Sequence, residues 1–330
     1  MTEDQVLLAG VGQWIPARLS TADAVAGGLL NDAERDRSGV VSSSVTPDTE
    51  LPAMAARAAL DAYSHAGLPA RPHTLLYAVA GTDDWTPFDY LQRLLRAPEA
   101  LACRVNAASN SALAAIALAT SRTTSEKSEG TSLIVAAHSL SSLSVDRWRN
   151  STGWIGGDGA AAIVLSAHDG FASLQGTSHL TQPAPASHFL NRQNDGRAGR
   201  RTATKTAAVP TTSVQDAAAA VMEAALTSAR LRAADISHLA MPFFEHAVVK
   251  ALFADPLGLP MSRTSWELGR TVGHVGPCDP LLGLKFMVDN GRLRIGDNVM
   301  MVSLGSSFTC QIWQITETPA KAPIRNPITL

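Results

Sequence analysis

The stretch RVNAASNSALAAIALATSR, Arg104 to Arg122, decides how this chain is read. A hydroxyl-rich tripeptide, Ser109-Asn110-Ser111, stands at the mouth of a run of Ala, Leu and Ile apolar enough to be a buried helix. A Ser in that place caps a helix, because its oxygen accepts from the first unpaired N–H groups. It is also where a nucleophile can sit, facing the positive end of the helix dipole.

Outward from this stretch, short apolar runs alternate with helical patterns. Gln5 to Gly10 reads as an opening strand, and Asp48 to Gly67 as a helix capped within TPDTE and stopped by Gly67. Strands are expected at Thr74 to Thr82, Ser132 to Ala136 and Ala160 to Ser166. The polar stretch from Thr177 to Pro210 lacks either period and holds the basic cluster Arg197, Arg200, Arg201 and Lys205, so it reads as a crossover loop or flap. Beyond it the pattern resumes. A helix at Ser213 to Leu231 is followed by a strand at Ser237 to Met241 and helices at His246 to Phe253 and Pro280 to Asn290. Paired strands at Asn298 to Leu304 and Thr309 to Thr316 flank GSSF. The order implies an α/β protein of two similar halves with buried central strands.

Composition narrows the function classes. At 330 residues the chain suits two joined halves better than one core, since single cores stop growing near ~250–300 residues. With 17% charged residues and a formal net charge of -2, it carries no basic surplus for nucleic acid, and no apolar window reaches the ~18 residues of a membrane span. The 3 Cys, Cys103, Cys278 and Cys310, include no C-x-x-C pair, so neither a disulfide framework nor a structural metal site is expected. The opening MTEDQVLLAG has the wrong charge sign for a secretory signal, and a reducing, cytoplasmic setting fits.

Four segments in register, TELPAMAARAALDAYSHAGL, RVNAASNSALAAIALA, GDGAAAIVL and GHVGPCDPLLGLKFMVDNGRLRIGDNVMMVSLGSSFTC, resemble the ketoacyl synthase III branch of the thiolase superfamily. The resemblance covers roughly Gln5 to Thr316 and is poorest in the flap and from Ala17 to Thr46. It implies a thiolase-like five-layer αβαβα fold of two pseudo-repeated halves: 1–170 with the nucleophile, 171–210 as flap or crossover, and 211–330 with a His/Asp pair and an oxyanion turn. It also implies a homodimer, no bound cofactor, and an acyl-CoA or acyl-carrier-protein thioester as substrate.

In that family the NAAC segment ends in a nucleophilic Cys, and here it reads NAAS, which puts Ser109 at that position. A hydroxyl gains little from a helix dipole and needs a general base. His274 in GHVGPCD resembles the G-H-P/T loops of thiolases and other ketoacyl synthases rather than the G-N-T usual in this branch. Asp279, five residues on, would orient its imidazole, giving Ser109, His274 and Asp279. Asp279 before Pro280 is also a good helix cap. The Ser109 and Ser307 main-chain amides match the family's oxyanion donors, although two Ser where Gly is usual raise a question about the turn's dihedrals.

Other parts of the pattern are altered. Condensing members hold a His in H-Q-A-N, whereas this chain has MPFFEHAVV, with Phe243 at the His position and His246 three residues later. The coenzyme A segment W-I-x-x-R-T-G-I is replaced by LLNDAERDRSGVV, which leaves Arg35 or Arg37 for phosphate. His188 in the flap, with Phe243, Phe244, His246 and Leu113, is a candidate for the acyl pocket. The leading expectation is an acyltransferase of polyketide-type, antibiotic-forming metabolism that passes an acyl group through Ser109 to a hydroxyl, amine or carrier protein. The alternatives are a starter-unit condensing enzyme acting on malonyl-carrier protein and a non-catalytic partner subunit.

Overall fold

In the computed structural model, the described residues are 5–46, 50–80, 88–125, 130–140, 146–148, 154–181 and 214–319. The basic cluster of the expected flap and His188 lie outside them.

Eleven strands are described: β1 Leu7–Trp14, β2 Arg18–Ser20, β3 Ser42–Ser44, β4 Thr74–Val79, β5 Leu101–Asn106, β6 Thr131–His138, β7 Gly159–Ser166, β8 Ala172–Leu180, β9 His238–Ala240, β10 Asn298–Leu304 and β11 Phe308–Ile315. Nine form one mixed sheet in the order β5-β4-β6-β7-β1-β8-β11-β10-β9, and β2 pairs with β3 apart from it. The two halves join where β1 meets β8 at only two register pairs, Leu7 with Ser173 and Leu8 with Ala172. Several inner strands are almost wholly apolar, as strands covered on both faces must be. Every residue of β4, β7 and β10 is buried.

The layers follow from which helix covers which face. Helix Leu51–Ala66 lays its buried Ala and Met residues on the outside of the N-terminal half-sheet. Helix Val214–Ala229 does the same for the C-terminal half-sheet. Helices Ser111–Ser125 and Asp279–Asp289 lie between the half-sheets, where Leu113, Ile116, Leu281, Leu284, Ala136, Ile163, Met301 and Trp313 share one core. The result is the αβαβα sandwich, with the nucleophile helix in the middle layer.

Three boundaries differ from the sequence reading. The quoted stretch is not all helix: Arg104 to Asn106 finish β5, and the helix begins at Ser111. The polar flap does not begin at Thr177, because β8 continues to Leu180 and pairs with β11. Its alternating half-buried polar residues hide the strand from a hydrophobicity pattern. Helix Leu51–Ala66 has Glu50 at its cap position with no side-chain cap, while Gly67 ends it at φ 66°, in the left-handed region open to Gly.

Candidate active site

Ser109 sits on a sharp turn between β5 and its helix. Ala108, just before it, adopts φ 54°, a left-handed conformation that disfavours a Cβ and that the surrounding structure must hold in place. Ser111 Oγ accepts from the Ala107 amide at 2.6 Å and lies 2.5 Å from the Val79 carbonyl at the end of β4. Ser303 Oγ donates to the Ser109 carbonyl at 2.8 Å. The turn is thus pinned to the carboxyl ends of β4 in one half-sheet and β10 in the other.

His274 arrives from the second half. Its backbone is gripped by the segment before β7: His274 N donates to the Ile155 carbonyl at 2.7 Å, and Gly157 N donates to the His274 carbonyl at 2.8 Å. Gly273 makes that approach feasible, having φ 79° and a position where a Cβ would meet the Ile155 carbonyl oxygen at 2.8 Å. The imidazole lies between the rings of Trp154 and Phe244, at centroid distances of 5.2 and 5.3 Å.

Three side chains then line up. Ser109 Oγ is 3.1 Å from His274 Nε2, and His274 Nδ1 is 2.5 Å from Asp279 Oδ2. Asp279 is fully buried, and two further donors hold its carboxylate, Phe243 N at 2.8 Å and Val275 N at 2.7 Å. A carboxylate only accepts, so the Nδ1 proton belongs to His274 and its Nε2 lone pair faces the serine hydroxyl. This is the nucleophile–base–orienter geometry of hydrolytic triads. The cap position of helix Asp279–Asp289 is Cys278, so Asp279 is its first residue and its carboxylate binds the histidine loop.

The Gly305–Ser307 turn meets the Ser109 turn directly. Ser306 N donates to the Ala107 carbonyl at 3.2 Å, and Asn110 Nδ2 donates to Ser307 Oγ at 2.8 Å and Thr309 Oγ1 at 3.0 Å. A Cβ on Gly305 would overlap the Ala107 carbonyl oxygen and come within 2.7 Å of Asn110 N. Neither Ser306 nor Ser307 has positive φ, so the two serines adopt this turn without left-handed backbone. The Gly305–Ser307 turn therefore packs against the Ala107–Asn110 turn through backbone and side-chain bonds.

The remaining sequence candidates fall elsewhere. Phe243 is buried in the core against Gly269, and only its backbone N–H reaches the site. Phe244 instead presents its ring to His274. His246 is exposed at a helix start and stacks on Trp266 at 5.7 Å, so it does not line the site. Arg35 is paired with Asp32 and Asp36, and Arg37 lies 3.6 Å from Glu245, so neither offers an unpaired charge to a phosphate. The structure adds one residue that the sequence reading missed, His138 at the carboxyl end of β6. Burial, together with the charge of nearby His274, lowers its pKa to about 4.

Sequence profiles described as 3-oxoacyl-[acyl-carrier-protein (ACP)] synthase III match residues 104–181, and the C-terminal profile of the same family matches residues 226–315. The chain belongs to the 3-oxoacyl-[acyl-carrier-protein] synthase III family. Among curated relatives, the β-ketoacyl-[acyl-carrier-protein] synthase III of Rhodospirillum centenum is 28% identical over 321 residues, covering 92% of this chain and 96% of its own. Among solved structures, the acyltransferase ChlB3 superposes with a TM-score of 0.85 at 29% identity, covering 96% of this chain and 99% of its own. The 3-oxoacyl-(acyl carrier protein) synthase III of Pseudomonas aeruginosa superposes with a TM-score of 0.77 at 20% identity, covering 96% and 99%. This synthase III-type chain is thus an enzyme of the acyl-transferring thiolase superfamily. It departs from the family pattern by carrying serine at the nucleophile position and His/Asp in the second half.

Proposed function

We propose that the protein is an acyltransferase that carries an acyl group as an ester on Ser109. The observation behind this reading is the Ser109 Oγ to His274 Nε2 distance of 3.1 Å, with Nδ1 fixed on a buried carboxylate. When a thioester carbonyl meets Ser109, His274 takes the hydroxyl proton as the Oγ–C bond forms. The carbonyl oxygen, now negative, is met by the Ser109 and Ser307 amides. Asp279 steadies the imidazolium. As the tetrahedral centre collapses, the C–S bond breaks and His274 returns the proton to the leaving thiol. In the second half an acceptor gives its proton to His274, attacks the ester, and Ser109 leaves with that proton.

Serine shapes the energetics. An ester is less activated than a thioester, so loading runs downhill and transfer back to a thiol runs uphill, while transfer to a hydroxyl is nearly balanced. The donor is an acyl-CoA or an acyl-carrier protein, the acceptor a hydroxyl, amine or carrier protein, and the setting polyketide-type, antibiotic-forming metabolism in the cytoplasm. The similarity to the acyltransferase ChlB3 supports this assignment. A homodimer fits as well: β5 is the outer strand of the sheet, with Leu101, Cys103 and Asn106 exposed, and a second copy pairing there would cover an open edge next to the nucleophile turn.

A starter-unit condensing enzyme is the second reading. Against it, the family's H-Q-A-N histidine position is occupied by Phe, with the Phe244 ring on His274. A non-catalytic partner subunit would have no use for an aligned base. The test is thiol release from a panel of acyl-CoA and acyl-carrier-protein thioesters, with and without hydroxyl acceptors. Acceptor-dependent turnover without carbon dioxide supports transfer. Carbon dioxide release from malonyl-carrier protein overturns it in favour of condensation.

A further inference from the structure

His138 is the titratable group beside the triad that the mechanism above leaves unused. It ends β6, a strand whose residues Thr131 to Ala137 are all buried, and it pairs with Gly159 across β7. The residue is half-buried, and burial is the main cause of its lowered pKa. A Cβ on Gly276, two residues from His274, would meet the His138 ring at 3.3 Å, so His138 packs against the loop that carries His274. The carboxyl end of β6 lies beside that of β4, to which the nucleophile turn is pinned.

The charged groups around His138 are accounted for. Asp158 and Arg147 pair at 3.0 Å, and Asp158 also accepts from Leu140 N and Thr46 N. Asp279 is saturated by three donors. Among the described residues no side chain hydrogen-bonds to the His138 ring. The ring stays uncharged at neutral pH, with burial as the main cause, and an uncharged imidazole presents one N–H donor and one lone pair.

Building on the acyltransferase reading, we propose that His138 binds the acceptor and that the acceptor's reacting group is a hydroxyl. A hydroxyl surrendering its proton to His274 Nε2 keeps lone pairs that accept from the His138 N–H. A thiol accepts such a bond weakly. A protonated amine would call for a free carboxylate, and Asp158 and Asp279 are both engaged. His138 transfers no proton: the acceptor O–H bond breaks toward His274, the new C–O bond forms, and the Ser109 ester bond breaks.

The experiment separates the two half-reactions, using acyl-pantetheine thioesters as donors and methanol as the simplest hydroxyl acceptor. Loading of Ser109 is timed by intact mass, and methyl-ester formation from the isolated acyl-enzyme is timed separately, for wild type, His138→Phe and His138→Asn. The expected result is a split: methanolysis falls tenfold or more in His138→Phe and partly recovers in His138→Asn, while loading changes less than threefold. Equal losses in both steps, or no loss in either, overturn the role of His138 even though wild type loads normally. Should folded wild type fail to load from any donor, the acyltransferase reading itself falls and takes this inference with it.

Discussion

Replacing Asp279 by Asn tests the triad with almost no change in shape. In the native site Oδ2 accepts from His274 Nδ1 and Phe243 N, while Oδ1 accepts from Val275 N. An amide offers one oxygen and one NH2. With its oxygen at the Oδ2 place, the NH2 faces the Val275 N–H, and a buried donor is left unpaired, worth about 1–3 kcal/mol of stability. With the amide turned over, NH2 faces His274 Nδ1 and drives the proton to Nε2, so the ring can no longer accept from Ser109. Either arrangement damages the base, and the comparable change in serine hydrolases removes roughly 10⁴ in rate, or about 5 kcal/mol of barrier. The assay is the single-turnover rate of Ser109 acylation, followed by quenched intact mass, alongside chemical denaturation. Acylation within tenfold of wild type in a folded Asp279→Asn protein would refute the orienting role.

Three further outcomes follow from the geometry. Ser109→Cys should still load, but its acyl group, now a thioester, should return to added CoA within the assay while the wild-type ester does not; equal reversal in both proteins would contradict the energetic argument for serine. Gly305→Ala should lower stability by about 1–3 kcal/mol and acylation at least tenfold, because the new methyl group overlaps the Ala107 carbonyl and pushes the oxyanion turn away. His138, whose pKa is lowered to about 4 by burial and then by the charge of His274, should make stability fall with acid. The unfolded chain binds a proton near pH 6.5 and the folded one only near 4, so the penalty is absent above 6.5 and grows to at most about 3 kcal/mol below 4. His138→Phe should flatten that slope in urea titrations; an unchanged slope would mean that other groups carry it.

Much of the fold was legible because β4, β7 and β10 and the core faces of the middle helices are strongly apolar, and hydrophobic pattern detects such elements. β8 escaped because ASLQGTSHL mixes polar and small residues on a half-covered strand, where pairing with β11 rather than pattern makes the structure. Ser109, His274 and Asp279 could be picked out only through the family resemblance, Ser109 at the NAAC position and His274 with Asp279 in the loop GHVGPCD, and the structure brings the three within hydrogen-bond reach. His246 misled because it is the nearest His to the position that condensing relatives use; the structure places it on the surface against Trp266, where a helix begins. Of the two neighbouring candidates Phe243 and Phe244, it is Phe244 whose ring faces His274, because in an extended segment one residue reverses the direction of a side chain. His138 did leave a trace: a lone His closing the apolar run TSLIVAAH, at the carboxyl end of a strand where α/β folds gather ligands.

The central claim is an acyl group on one hydroxyl. Intact mass of the protein quenched after incubation with acyl thioesters, followed by peptide mapping, tests it most directly. The account predicts a mass increase equal to the acyl group on the peptide containing Ser109, absent in Ser109→Ala and strongly slowed in His274→Ala. An adduct on another residue, or one that persists in Ser109→Ala, would contradict it.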